Sequence, residues 1–435
     1  MNISNIYSHK LTRRIFASGA IGNILETYDL ILISLMATTI SNAFFPPAAT
    51  PYAHIVNVLY VFLIGLLVRP IGNIIMGTFA DQIGRKKLMT ISLVFTGIGT
   101  MLIGFIPSYS YIGCWSTILF ISLRVFQNFF AGIEYINSAT YLIESSHPEK
   151  KGFYASWTAI GISGGYLLAS IVALTVTSLI SKNLIPSWSW RFVFIFSISG
   201  IIFGLYIRRA IPESLAFIMN NSSVEQIRKR DILKDSLQYI IKNSSQCLSI
   251  SAITLMGICL TYIYYIYIPI NLITSRHFSE VEVYGLNSIS LLLVVLLIPF
   301  FGKISDYIDR ILLLKVICGA VLVLSIPFFW LCSYGTPIDI LLITLLISIP
   351  ASCFFSLYPI LITECFPSKI RCTTASLIYQ VIVSIQMGVL PLIIAYLINY
   401  TGVEYSPGFL LIIATVIGYF GLMHLKSDSV HTVLE

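Results

Sequence analysis

The chain has 435 residues, of which 57% are hydrophobic and 10% charged, with a formal net charge of +7 and a mean hydropathy of +0.88. A soluble domain carries roughly 25% charged residues, so this composition cannot cover a water-exposed surface, and it excludes a soluble enzyme or nucleic-acid-binding domain. The positive balance implies no nucleic-acid partner, because membrane topology accounts for it below.

Crossing about 30 Å of hydrocarbon takes about 20 apolar residues in a helix. On that criterion the sequence predicts twelve spans in chain order, at 15–40, 55–79, 88–106, 115–143, 153–180, 192–211, 248–273, 283–301, 311–331, 338–362, 373–397 and 409–425. Alternating ten-residue segments, the pattern of an outer-membrane barrel, are absent. The first span follows basic residues but is long, carries acids and lacks a clear small-residue cleavage site, so it is expected to be a retained anchor. Of the 26 Lys and Arg residues, only Lys182, Arg191 and Arg276 fall on the outer side when the N-terminus is placed inside, with Arg69 and Arg124 within spans. Cytoplasmic loops keep positive charge, so both termini are expected in the cytoplasm. The eight cysteines lack C-x-x-C spacing and read as small packing residues, with no metal or cofactor implied. None of the six histidines is mid-span, which leaves carboxylates as proton carriers within the membrane.

The longest polar stretch, 212–243, divides the spans six to six, with one bundle at 1–211 and the other at 244–435. Repetition supports the division. "GTFADQIGRKK" places Gly77, Asp81 and Arg85 at steps of four, and "GKISDYIDR" repeats the steps at Gly302, Asp306 and Arg310, 225 residues later. Likewise Glu144 precedes Lys151 by seven, and Glu364 precedes Arg371 by seven, at an offset of 220. A duplicated six-helix unit is typical of secondary transporters. The expected fold is therefore all-α: a membrane protein of twelve transmembrane helices in two six-helix pseudo-symmetric bundles.

Five ionisable residues are predicted well inside spans: Glu26, Asp29, Arg69, Arg124 and Glu134. A charge at mid-membrane costs about 2.5–3.5 kcal/mol even on the lenient insertion scale, so such residues persist where they pair or line a wet cavity. Glu26 and Asp29, three apart, share a helical face. Gln127 lies one turn from Arg124, and Glu134 seven beyond Gln127 on a similar face, so this stripe is expected to meet the same cavity as the acids of the first span. A carboxylate that alternately meets and loses an arginine can take up and release a proton, whereas a fixed buried pair would only orient helices. Arg69, in an R-P-x-G context, fits a structural role as well as a site role. The second half offers aromatics and amides at depth, among them Tyr265, Tyr358, Tyr379 and Gln380, which read either as cavity lining or as packing. On the loops, Asp81, Arg85, Glu144, Asp306, Arg310, Glu364 and Arg371 are candidates for a cytoplasmic gate, or simply for fixing topology.

The sequence resembles the major facilitator superfamily. "GTFADQIGRKK" is similar to its signature G-x-x-x-D-x-x-G-R-[RK]-x between the second and third helices. Within it, "GNILETYDL", "RPIGNIIMGTFADQIGRKK", "RVFQNFFAGIEYINSATYLIE", "ECFPSKIRCTTASLIYQ" and "WSWRFVFIFSISG" resemble the metabolite:proton symporter family, which carries proline and betaine, citrate, oxoglutarate and shikimate. The sequence departs from that pattern at Thr27, Leu30, Asn128 and Ile133. The chain stops soon after its last span, where osmosensory betaine carriers bear a coiled-coil tail, so an osmosensor is not expected.

The resemblance implies import of a small organic carboxylate or a zwitterion such as proline or betaine by proton symport, in a bacterial inner membrane, by a monomer surrounded by lipid. It nominates Asp29 with Arg124 as the proton-coupling pair. A citrate-type siderophore is an alternative substrate, and proton-coupled export an alternative direction. The Gly-Pro-rich G-x-x-x-G-P-x-x-G-G run of exporters is not matched by "GISGGYLLAS" in the fifth span, which favours import. No nucleophile with a positioned base, nucleotide loop or metal cluster is legible, which argues against a membrane enzyme.

Overall fold

The computed structural model describes residues 9–47, 51–214 and 229–425. Twelve helices in it are long and apolar enough to cross a membrane: Leu11–Leu35, Leu63–Ala80, Arg85–Ile103, Cys114–Glu144, Pro148–Ser181, Ser187–Arg209, Ser244–Thr274, Glu280–Ile304, Arg310–Tyr334, Pro337–Glu364, Arg371–Thr401 and Pro407–His424. They are numbered span 1 to span 12. In hydrocarbon every backbone N–H and C=O must be satisfied within the segment, which is why such apolar runs become helices. Three of the starts carry capping side chains. Ser279 and Glu282 form a reciprocal capping box before span 8, Asp309 accepts from the amides of Ile311 and Leu312 at span 9, and Thr336 with Asp339 opens span 10.

Four spans depart from a straight α-helix, span 6 through a break at Phe196 between Trp190–Ile195 and Ser197–Arg209. The first helix ends at Leu35, and a separate helix, Ala37–Phe44, follows, so the predicted span 15–40 is shorter than expected. Span 4 breaks between Ala131 and Glu134, and span 7 contains a π-turn over Ile263–Tyr267. π-turns inside helices occur often at functional sites. Within the polar stretch 212–243 a further helix, Lys229–Lys242, packs against spans 2, 7 and 11.

The packing pattern repeats. Span 1 packs on spans 4, 5 and 6, span 2 on span 4, and span 3 on spans 4 and 6. Adding six to each number gives pairs that also pack: 7 on 10, 11 and 12, 8 on 10, and 9 on 10 and 12. The two bundles meet mainly through span 5 against span 8 and span 2 against span 11, two pairs that exchange under the same shift. Large apolar side chains such as Leu67, Ile71, Phe196, Leu296 and Val323 are exposed on the outside, as lipid contact requires.

Candidate transport site

On span 1 the three-residue spacing does put Glu26 and Asp29 on one face, and two arginines meet them. Arg69 of span 2 approaches Glu26 at 3.2 Å, and Arg124 of span 4 approaches Asp29 at 2.6 Å. The pairs are tied together. Arg69 Nε donates to Asn128 Oδ1 (2.8 Å), whose amide donates to the carbonyl of Arg124 (2.8 Å). Arg124 also donates to Gln127 Oε1 (2.9 Å), which in turn donates through Nε2 to Thr100 (2.8 Å). Charges buried this deeply are tolerated because each has an opposite partner and both arginines make further hydrogen bonds.

The pairs face different spaces. A cavity of about 90 Å³ lies between the bundles, with Asn23, Glu26, Thr27 and Arg69 on one wall. Opposite them stand Tyr265, Phe354, Phe355, Tyr358, Tyr379 and Gln380, and Tyr135 and Tyr166 complete an aromatic enclosure. Asp29, Arg124 and Gln127 do not line this cavity. They border a second void of about 10 Å³ behind it, and Glu26 and Arg69 border both.

All four residues nominated from the second half line the main cavity. The Tyr265 hydroxyl is 3.0 Å from Ser163 of span 5, and its ring stacks on Tyr166 with centroids 4.0 Å apart. Tyr358 meets Thr254 at 2.7 Å, and the ring of Tyr379 lies 4.9 Å from that of Tyr135. Gln380 donates to the carbonyl of Gly132 at 2.5 Å, so span 11 holds the broken turn of span 4.

Glu134 is placed elsewhere. The break at Gly132 turns Tyr135 to the cavity and sends Glu134 to the opposite side, where it forms a close ion pair with Arg208. Arg208 also donates to the carbonyl of Met89. The sequence reading put Arg208 at the cytoplasmic end of span 6, yet it is 1% exposed. Its neighbour Arg209 masked the distinction, since two adjacent arginines read as a solvated helix end. Sequence reasoning also missed Tyr135 and Tyr166. Their signals were adjacency to Glu134 and a position inside the Gly-rich run of span 5.

At the end of the molecule that carries most Lys and Arg, the loop candidates form a symmetric set of contacts. Glu144 takes Arg85 of its own bundle (3.4 Å) and Arg371 of the other (3.5 Å). Glu364 takes Arg310 of its own bundle (2.6 Å) and Lys151 of the other (2.9 Å). Asp306 accepts from the amides of Gly152 (2.7 Å) and Phe153 (3.1 Å) at the start of span 5. The side chain of Asp81 lies outside the described residues.

Known proteins agree with this architecture. The sequence profile described as Major Facilitator Superfamily matches residues 30–385. The chain belongs to the Major Facilitator Superfamily. Among its relatives in this superfamily are the proline/betaine transporter of Escherichia coli K12 and the glycine betaine/proline/ectoine/pipecolic acid transporter OusA of Dickeya dadantii. Each is 28% identical over 424 residues, covering 96% of this chain and 84% of the relative. The ectoine/proline transporter ProP of Corynebacterium glutamicum is 26% identical over 438 residues, covering 98% and 86%. In fold the chain is similar to the proton:xylose symporter XylE bound to 6-bromo-6-deoxy-D-glucose, with a TM-score of 0.77 at 17% identity over 99% of this chain and 100% of that one. The superfamily member described here is thus a multi-pass secondary active transporter with a central cavity between its halves.

Proposed function

We propose that this transporter imports a small zwitterion of the proline or betaine kind together with a proton, by alternating access. The observation that carries the reading is that a single ion pair, Glu26–Arg69, faces a compact cavity whose other walls carry seven aromatic rings among aliphatic and small polar side chains. A zwitterion needs one cationic anchor for its carboxylate and a surface that accepts an alkylated ammonium. Arg69 offers the first. The rings of Tyr135, Tyr166, Tyr358 and Tyr379 offer the second, since a desolvated cation over an aromatic face gains on the order of 2 kcal/mol. A cavity of about 90 Å³ supports a compact substrate over a citrate-type siderophore. The named relatives carry proline, betaine and ectoine, which supports the same class.

Coupling follows from competition. While Glu26 is ionised it occupies Arg69. Protonating Glu26 removes that partner and frees the guanidinium for the substrate carboxylate, so proton and substrate enter together. The basic face is read as cytoplasmic from its positive charge, with both termini inside, and the Glu144, Glu364 and Asp306 contacts act as the inner gate. On this reading residues 1–211 and 244–435 rock against each other about 212–243, in a monomer within the bacterial inner membrane. The test is uptake of radiolabelled proline, glycine betaine and citrate into proteoliposomes under an imposed proton gradient. Accumulation of a zwitterion that collapses with a protonophore is expected; citrate accumulation, or zwitterion uptake indifferent to the gradient, would overturn the reading.

A further inference from the structure

The small void behind the Glu26–Arg69 pair has no role in the competition just described, yet it is lined almost wholly by charged and polar side chains: Glu26, Asp29, Arg69, Arg124, Thr100 and Gln127 among them. Its volume of about 10 Å³ matches the ~10–15 Å³ that a single water molecule needs. One wall atom calls for a partner. Asp29 is 7% exposed, and while its Oδ2 is held by Arg124, its Oδ1 is buried and has no hydrogen-bond partner among the described residues. A buried carboxylate oxygen left unpaired is costly, and such a group needs a water or an ion to satisfy it. Two arginines already balance the two acids around the void, so a metal cation has no electrostatic reason to enter.

We infer that this void is a one-water site that joins Glu26 to Asp29, making the two acids successive stations of a proton relay. The inference rests on the symport reading above and adds to it a path and an order. Among the described residues Glu26 is the only acid that borders both spaces, so it exchanges protons with the cavity, and Asp29 stores them behind it. The step balances simply. The O–H bond of protonated Glu26 breaks as the water oxygen takes that proton, and the water gives one of its own protons to Asp29 Oδ1. The Glu26 carboxylate is then free to return to Arg69 as the substrate carboxylate leaves it, while Arg124 loses its full charge partner. The charged and titratable groups that act on Glu26 are Arg69 from span 2, Glu134 from span 4, Tyr166 from span 5 and Tyr379 from span 11, with Asp29 on its own helix. The side chains facing Asp29 are Arg124 and Gln127 from span 4 and Thr100 from span 3.

The test compares wild type with Ala131→Val, Asp29→Asn and Glu26→Gln in proteoliposomes, measuring proton-driven accumulation and substrate counterflow separately. Ala131 borders the void without bearing a polar group, so added methyls exclude the water. Ala131→Val is expected to lower accumulation by about a hundredfold, the low side of what a positioned proton-transfer group contributes, with counterflow falling much less. Infrared difference spectra on adding proline provide a second readout that does not depend on how Ala131→Val packs. A carboxylic C=O band should appear in wild type, shift with Asp29→Asn and vanish with Glu26→Gln. The relay is overturned if wild type accumulates substrate and Asp29→Asn leaves both the accumulation and the band unchanged, or if a well-folded Ala131→Val accumulates normally. If wild type accumulates no zwitterion under a proton gradient, it is the symport reading that fails instead.

Discussion

Asp306 reaches across the interface between the halves and accepts the backbone amide of Gly152 at 2.7 Å. Gly152 opens span 5, where unpaired amides and the helix dipole favour a negative charge. The approach demands glycine: a Cβ at this position would lie 2.0 Å from Ser305 Oγ and 2.8 Å from the carbonyl of Gly302. Burial pushes the Asp306 carboxyl above its ordinary value of 3.8, against the lowering effect of the Phe153 and Gly152 amides and of Arg310. If these contacts are the inner gate proposed above, a raised value means that the closed face binds a proton more readily than a carboxyl released to water. Closure should be strongest below 3.8 and weaken as pH rises through the raised value. Spin labels at the exposed positions 150 and 307, in a Cys114→Ser background, should report longer distances at higher pH, and Asp306→Asn should flatten that response. An unchanged pH profile in the variant would remove Asp306 from the gate.

Glu364 holds Lys151 and Arg310 at once, so Glu364→Gln leaves two largely buried cations without their shared anion. Breaking such a pair from one side costs about 3 kcal/mol, here charged against the closed state rather than against the fold. The same labels should then show the basic face open for most molecules. The exchange Lys151→Glu with Glu364→Lys should recover closure in part, because Arg310 then faces a cation.

Gly22 sits so close to the Glu134–Arg208 pair that a Cβ would lie 1.8 Å from Glu134 Oε1. Gly22→Ala must push the pair or span 1 aside, and overpacking of this kind costs about 1–3 kcal/mol. Glu134→Gln should cost about 3–5 kcal/mol by leaving Arg208 buried and unpaired. Thermal unfolding in detergent should rank them in that order, with neither change altering the choice among substrates, since the pair does not line the cavity.

The ring of Tyr135 lines the cavity beside that of Tyr379, with centroids 4.9 Å apart. Replacing it with leucine keeps apolar bulk but removes the quadrupole, so KM for glycine betaine should rise by about tenfold, equivalent to about 1.4 kcal/mol. Tyr135→Phe should remain near wild type. An equal loss in both variants would assign the role to the hydroxyl instead.

Much of this was legible in the chain itself. The offset repeats that paired Asp81 with Asp306 and Glu144 with Glu364 anticipated a symmetric set of loop charges, and in the structure each glutamate takes one partner from its own half and one from the other. The carboxylates of span 1 and the arginines of spans 2 and 4 stood out because ionisable groups are rare at membrane depth. Which arginine each acid would take, and which pair would face the cavity, were not readable. Those depend on how far span 2 and span 4 are rotated about their axes, and one residue of helix advances that rotation by about 100°. Glu134 shows the limit most clearly, because the two-residue interruption at Gly132 and Ile133 reset its direction and gave it to Arg208.

Hydropathy, charge asymmetry and repetition along the sequence therefore determined that the chain forms twelve spans in two related halves, with acids placed within the first and fourth of them. They could do so because the cost of exposing polar groups to hydrocarbon is paid locally, segment by segment. Only the tertiary structure decided that Glu26 and Arg69 stand at the cavity while Asp29 and Arg124 stand behind them. That choice is made by contacts between helices far apart in sequence, at distances of a few ångströms, which no local pattern encodes.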